Sequence, residues 1–129
     1  MTLKISSSRR NQLISITQDV RSAIRHLVFT SGLCLIYVPH TTAGITINED
    51  ADPDVAEDIV SALDALVPHR QTFRHAEGNS DSHVKASLVG SSVTLGVDNG
   101  ELDLGRWQGI FFCEFDGPRE RNILMTLIG

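Results

Sequence analysis

The sequence predicts a single-domain α+β fold, a mostly antiparallel β-sandwich with about three helices. Three observations lead there. Segments of strand length and pattern outnumber helical ones, helical segments fall between groups of strands, and no linker, repeat or low-complexity tract divides the chain. At 129 residues it is one domain, long enough to bury about two-thirds of its unfolded surface.

Residues 3–6 and 13–16 read as short strands, and Ser-Arg-Arg-Asn at 8–11 suggests a hairpin between them. Thr17 is a candidate N-cap, after which Val20, Ile24, Leu27 and Val28 recur at helical spacing; the helix ends near Gly32 and leaves His26 in solvent. The unbroken apolar run 33–38 predicts a central strand buried on both faces, delivering Pro39 and His40 at its end. Residues 41–44 turn the chain. Ile45 and Ile47 then share one face of a strand while Thr46 and Asn48 share the other, which would turn Asn48 toward the space that His40 faces.

Asp52-Pro53 is a helix start, with Asp as N-cap and Pro at the first helical position. Val55, Ile59, Val60, Leu63 and Leu66 form its apolar stripe, Asp54, Glu57, Asp58 and Asp64 its solvated side, and Pro68 its end. A loop over 69–73 leads into a polar segment. Residues 84–88 read as a short helix stopped by Gly90, with His83 in its first turn. Residues 92–95 are a strand followed by the turn Asp98-Asn99-Gly100. Two long apolar strands, 107–115 and 121–128, flank Asp116-Gly117-Pro118-Arg119.

The bulk properties exclude several functions. A formal charge of −5 argues against a general nucleic-acid or anionic-membrane surface. No apolar run approaches the ~20 residues of a membrane span and the first ten residues lack an apolar signal core, so a cytoplasmic protein is expected. Cys34 and Cys113 lie in apolar runs and read as small hydrophobes with reduced thiols. There is no Walker loop, dinucleotide fingerprint or trustworthy Ser-His-Asp order.

Chemistry concentrates where polar residues break the pattern. His75 to His83 holds two imidazoles, two carboxylates and one amide around Gly78, with Ala76 the one apolar side chain. Such a segment cannot build a core. Imidazole with carboxylate suits zinc and other first-row divalent metals, and an all-oxygen subset would suit magnesium or calcium. His40-Thr41-Thr42-Ala43-Gly44 ends a buried strand with donors able to hold an oxyanion. Glu114 shares a strand face with Ile110, Phe112 and Asp116, where a carboxylate needs a metal, a raised pKa or a partner such as Arg119 or Arg121. Arg119 offers a planar fork for phosphate or carboxylate.

Read in order, these stretches resemble the YjbQ family, which is linked to secondary thiamine-phosphate synthase activity. The likeness rests on His40-Thr-Thr-Ala-Gly-Ile-Thr-Ile-Asn48-Glu49, His75-x-Glu77-Gly-Asn79-x-Asp81-x-His83-x-Lys85-Ala-Ser-Leu, Leu104-Gly105-x-Trp107-Gln108 and Glu114-x-Asp116-Gly-Pro-Arg119-x-Arg121. It covers nearly the whole chain. Arg106 departs from the small residue the family usually has before Trp107.

The resemblance implies a homotrimer with a polar cavity near subunit boundaries, lined by His40, Asn48, His75, Glu77, Asn79, Asp81, His83 and Glu114 with Arg119 close by. The implied reaction joins hydroxymethylpyrimidine diphosphate to thiazole phosphate and releases pyrophosphate. Its small phosphorylated substrates would meet Thr41, Thr42, Asn48, Asn79, Lys85 and Arg119. His40, His83 and Glu114 would be catalytic, and a divalent metal, zinc or magnesium/calcium, would sit on His75, Glu77, Asp81 and His83. Glu114 is a further candidate to hold the metal. A metal-assisted hydrolase would use the same parts, and a non-enzymatic metal or small-anion binding module is the reading from another class.

Overall fold

A computed structural model of the chain describes residues 1–69 and 73–129. Its elements are β1 (Thr2–Ser6), β2 (Gln12–Ser15), α1 (Thr17–His26), β3 (Gly32–Tyr37), β4 (Ala43–Glu49), α2 (Pro53–Leu66), α3 (Ser80–Val89), β5 (Ser92–Asp98), β6 (Glu101–Leu102), β7 (Gln108–Glu114) and β8 (Glu120–Ile128). They form two antiparallel sheets, ordered β1-β8-β3-β5-β6 and β2-β7-β4. The α+β class and the three helices match the expectation. Part of the predicted 69–73 loop lies outside the described residues.

The main core fills the space between the sheets. Ile36 of β3, Met125 and Ile123 of β8, Leu95 of β5, Ile45 of β4, and Ile110 and Phe112 of β7 meet there with Val20 and Ile24 of α1. On the far side of the smaller sheet, Cys113 and Phe115 pack with Ala86 of α3 and Leu63 of α2. Alternate side chains of β7 thus enter two different cores, and all its residues from Gly109 to Glu114 are buried.

Three local expectations are corrected. β1 and β2 do not form a hairpin: β1 pairs with β8 and β2 with β7, so residues 7–11 cross from one sheet to the other. The two-faced buried strand is β7, whereas β3 alternates, with Cys34 and Ile36 inside and Leu33 and Tyr37 exposed. Both read as apolar runs, and a run alone does not say whether its second face meets helices or solvent. Helix α2 starts as expected, Asp52 accepting from the Asp54 N–H, but none of its stripe is fully buried and Leu66 is exposed.

Backbone chemistry fixes several turns and close approaches. Asn99 and Gly100 both take positive φ, 52° and 75°, as a two-residue hairpin turn of this kind requires. At Gly44 a Cβ would stand 2.6 Å from the Gly90 carbonyl oxygen, so glycine allows β4 to lie against the end of α3. A Cβ at Gly117 would meet the Arg9 carbonyl oxygen at 2.3 Å, which lays the β7–β8 corner directly on residues 7–10.

Candidate functional site

At one end of the sandwich, where β3, β7 and β8 separate, lies a cavity of about 590 Å³. Tyr37, Pro39 and His40 come from the end of β3, and Thr41 and Thr42 from the turn that follows. Glu77, Asn79 and His83 come from the start of α3 and the segment before it, and Asp116, Arg119 and Arg121 from the β7–β8 corner. A second lobe of about 550 Å³ shares His40, Thr41 and His83 and continues past Ala43, Ala86 and Gly90. The first lobe is lined by charge; the second, apart from His40 and His83, is lined by small, uncharged side chains.

The floor is an ion pair. Glu114 is fully buried and Arg121 nearly so. Arg121 Nε donates to Glu114 Oε1 at 2.9 Å and its Nη2 donates to Thr42 Oγ1 at 2.9 Å, while Ser7 Oγ donates to Glu114 Oε1 at 2.7 Å. Burial pushes the Glu114 carboxyl upward, but the donors Arg121, Ser7 and the Asp116 backbone N–H outweigh it and hold the pKa below the usual range. Of the alternatives open in the sequence for this residue, pairing with Arg121 is the one realised. Glu114 is anionic and saturated with donors, so it cannot serve as a proton acceptor or metal ligand in the cavity.

His40 has a fixed tautomer. Its Nε2 accepts from the Asn122 backbone N–H at 3.0 Å, which puts the ring proton on Nδ1. Burial, together with the neighbouring Arg121 guanidinium, holds its pKa below the ordinary imidazole value. His40 is therefore a neutral hydrogen-bond donor at neutral pH, not a base acting through Nε2. Burial pushes the Cys34 thiol up to about 11 and the Cys113 thiol up to about 12, so neither is a nucleophile.

Arg119 occupies the corner with half its side chain exposed. Its Nε donates to the Asp116 backbone oxygen at 2.8 Å and its Nη2 to Asp116 Oδ2 at 3.1 Å. Among the described residues its Nη1 has no partner, so it can donate to a ligand.

His40, Thr41, Thr42, Glu77, Asn79, His83 and Arg119 are thus brought together as the sequence suggests. His75 stands beside them, its ring edge-to-face with His83 at 5.5 Å between centroids and its Nε2 3.6 Å from Glu77 Oε2. Three candidates lie elsewhere. Asn48 is exposed toward the far end of β4, opposite Gly109, and caps the Glu49 N–H. Asp81 is fully buried against Arg10 at 3.1 Å. Lys85 is fully buried, bound to Asp64 and to Asn11. In each case the sequence gives the residue type correctly but not the partner that claims it.

A divalent metal on His75, Glu77, Asp81 and His83 does not fit this arrangement as a set. Arg10 holds Asp81, and among the described residues no three His, Cys, Asp or Glu side chains stand together as a ligand group. Sequence alone does not point to Tyr37, Asp116 or Arg10 as site residues, and it offers Arg121 only as a partner for Glu114. For Asp116 the signal is the pair of acids at 114 and 116 facing the pair of arginines at 119 and 121 across a turn; Tyr37 and Arg10 carry none.

The sequence matches the family described as UPF0047 protein YjbQ-like over residues 1–129. The chain belongs to the YjbQ family. This YjbQ-family chain is 52% identical to a UPF0047 protein of Methanocaldococcus jannaschii, covering 98% of this chain and 91% of that one. It is 50% identical to the UPF0047 protein YugU of Bacillus subtilis, covering 99% and 98%. Its fold matches the crystal structure of a YjbQ/UPF0047 protein of Clostridium acetobutylicum with a TM-score of 0.96 at 47% identity, over 99% of both chains. A hypothetical protein of Aeropyrum pernix gives the same TM-score at 34% identity, over 100% of this chain and 97% of that one. In this YjbQ-family fold no helix among the described residues is long and apolar enough to cross a membrane.

Proposed function

We propose that the protein is a cytoplasmic transferase of the thiamine-phosphate synthase type, taking a pyrimidine diphosphate and a thiazole phosphate in the two-lobed cleft. The observation that carries this reading is the donor set of the charged lobe: the Nη1 of Arg119, without a partner among the described residues, the hydroxyls of Thr41 and Thr42, and the His40 ring donor. Directed donors of this kind suit a diphosphate oxygen even where neighbouring carboxylates cancel the net charge. The second lobe, similar in volume and lined beyond its two histidines by small side chains, suits an aromatic ring.

The reaction asks little more of the protein. The C–O bond to the diphosphate breaks with its electron pair leaving on oxygen, and the thiazole nitrogen lone pair forms the new C–N bond to the same carbon. No proton is abstracted, so the reaction does not require a general base. Donors aimed at the leaving oxygens stabilise charge as it develops. A divalent cation enters this proposal with the diphosphate, as part of the substrate, and magnesium suits phosphate oxygens.

The test is turnover of the two phosphorylated precursors, followed as thiamine phosphate and pyrophosphate, with and without added magnesium or zinc. Product in equimolar amounts, lost in a His83→Ala variant, is expected. Pyrophosphate binding without product would favour the binding module. Phosphate release without C–N bond formation would favour the hydrolase.

We further propose a homotrimer. The outer face of the larger sheet exposes Leu33, Tyr37, Leu124 and Ile128, and strand register sets Leu33 opposite Ile128 and Tyr37 opposite Leu124. A contiguous apolar band of this sort calls for a covering surface, and closed cyclic symmetry covers it without an open sticky edge. Tyr37 also lines the cavity, so the cleft would sit at the subunit boundary. Light scattering at micromolar concentration should give three times the chain mass, and Leu124→Glu should give the monomer. A monomeric wild type would refute the assembly.

A further inference from the structure

A line of alternating charges runs from the surface of α2 through the interior to the cavity wall. Lys85, with its side chain 1% exposed, is paired with Asp64 of α2 and lies 4.0 Å from Asp81. Asp81, 0% exposed, accepts from Arg10 Nη2 at 3.1 Å. The other arm of Arg10, Nη1, donates to Asp116 Oδ1 at 3.2 Å. The second oxygen of Asp116 then takes Asn79 Nδ2 at 2.9 Å and Arg119 Nη2 at 3.1 Å, both from cavity residues. Arg10 itself does not line the cavity.

We infer that Arg10 is a positioning residue, which sets the Arg119 and Asn79 side chains for an anionic ligand by holding Asp116 from behind. The physical argument is one of competition. Asp116 has two oxygens and three cationic or amide partners, and with Arg10 on Oδ1 only Oδ2 is left for Arg119 and Asn79. Without Arg10 both oxygens turn to Arg119, whose fork then closes on the carboxylate as a bidentate pair and takes Nη1 from the ligand. Two spaced Nη groups are needed to bridge Asp81 and Asp116, so lysine cannot replace arginine here. The Arg10 Nε is buried with no partner among the described residues, an uncompensated donor that the two-carboxylate bridge outweighs.

This inference rests on the anion-binding reading of the cavity, and a bland alternative exists: Arg10 could simply neutralise buried Asp81. The double variant Arg10→Gln/Asp81→Asn separates them by removing the half-buried cation and the buried anion together. The probe is inorganic pyrophosphate, titrated by calorimetry, alongside thermal melts and the 15N resonance of Arg119 Nε without ligand. Arg10→Gln should melt earlier and bind pyrophosphate about tenfold more weakly, the size typical of losing a group that orients a ligating side chain. In the double variant melting should recover while affinity stays low and the Arg119 resonance stays displaced. Arg10→Lys should not restore affinity. Recovery of affinity together with stability, or an unmoved Arg119 resonance, would overturn the positioning role. If wild type binds no pyrophosphate but the Arg119 resonance still moves in Arg10→Gln, the anion reading falls and the orienting contact stands.

Discussion

Glu114→Gln should lower the stability of the protein by about 3–5 kcal/mol, the cost of leaving one member of a buried ion pair without its counter-charge. Arg121 would remain nearly fully buried, with only the Thr42 oxygens and a neutral amide to meet its guanidinium. Denaturant unfolding of wild type and variant reads the difference; a loss below ~1 kcal/mol would mean that solvent reaches the pair. The same contact fixes the acid limb of stability. Because the folded pKa of Glu114 lies below the ordinary 4.5, its contribution is present above that value and is lost as pH falls through the folded pKa. The Gln variant should therefore show a shallower loss of stability below about pH 4.5. Replacing both partners with Leu and Met should recover much of the loss, since an apolar pair leaves no orphaned charge.

Arg119→Met should weaken binding of the diphosphate substrate, or of pyrophosphate, by roughly 10- to 100-fold, corresponding to the ~1.5–3 kcal/mol of a hydrogen bond to a charged group. Stability should move by no more than about 0.5 kcal/mol, because the side chain is half exposed and Asp116 keeps Arg10 and Asn79. Affinity and stability are thus expected to respond in opposite proportions at Arg119 and Glu114. Calorimetric titration at two salt concentrations checks the first variant. Equal affinity in wild type and Arg119→Met would remove Arg119 from the site.

The chain's alternations were readable because burial leaves a period in the sequence. Asp52-Pro53 named the start of α2, Asn99-Gly100 the hairpin turn, and the Ile110-Phe112-Glu114 face put the carboxylate among apolar neighbours. The polar clusters at 40–42 and 75–83 likewise identified two walls of the cavity. What sequence order could not carry was pairing across distance. Lys85 and Asp81 look like ligands when read alone, and only the fold brings Asp64 and Arg10 to them. Asn48 alternates correctly but sits toward the wrong end of its strand. Arg10 lies in a stretch that reads as a hairpin turn, and the cross-sheet passage that makes it useful leaves no local mark.

The β7–β8 corner is also a closed ring. Glu114 ends β7, Arg121 lies one residue inside β8, and the two are bound to each other, so the corner between them is tied at its neck and pressed onto residues 7–10. Its length is therefore as constrained as its composition. An inserted or deleted residue would carry Arg119 away from Asp116, or Arg121 out of reach of Glu114. A change of length here therefore acts on the cavity wall and on the buried ion pair at once.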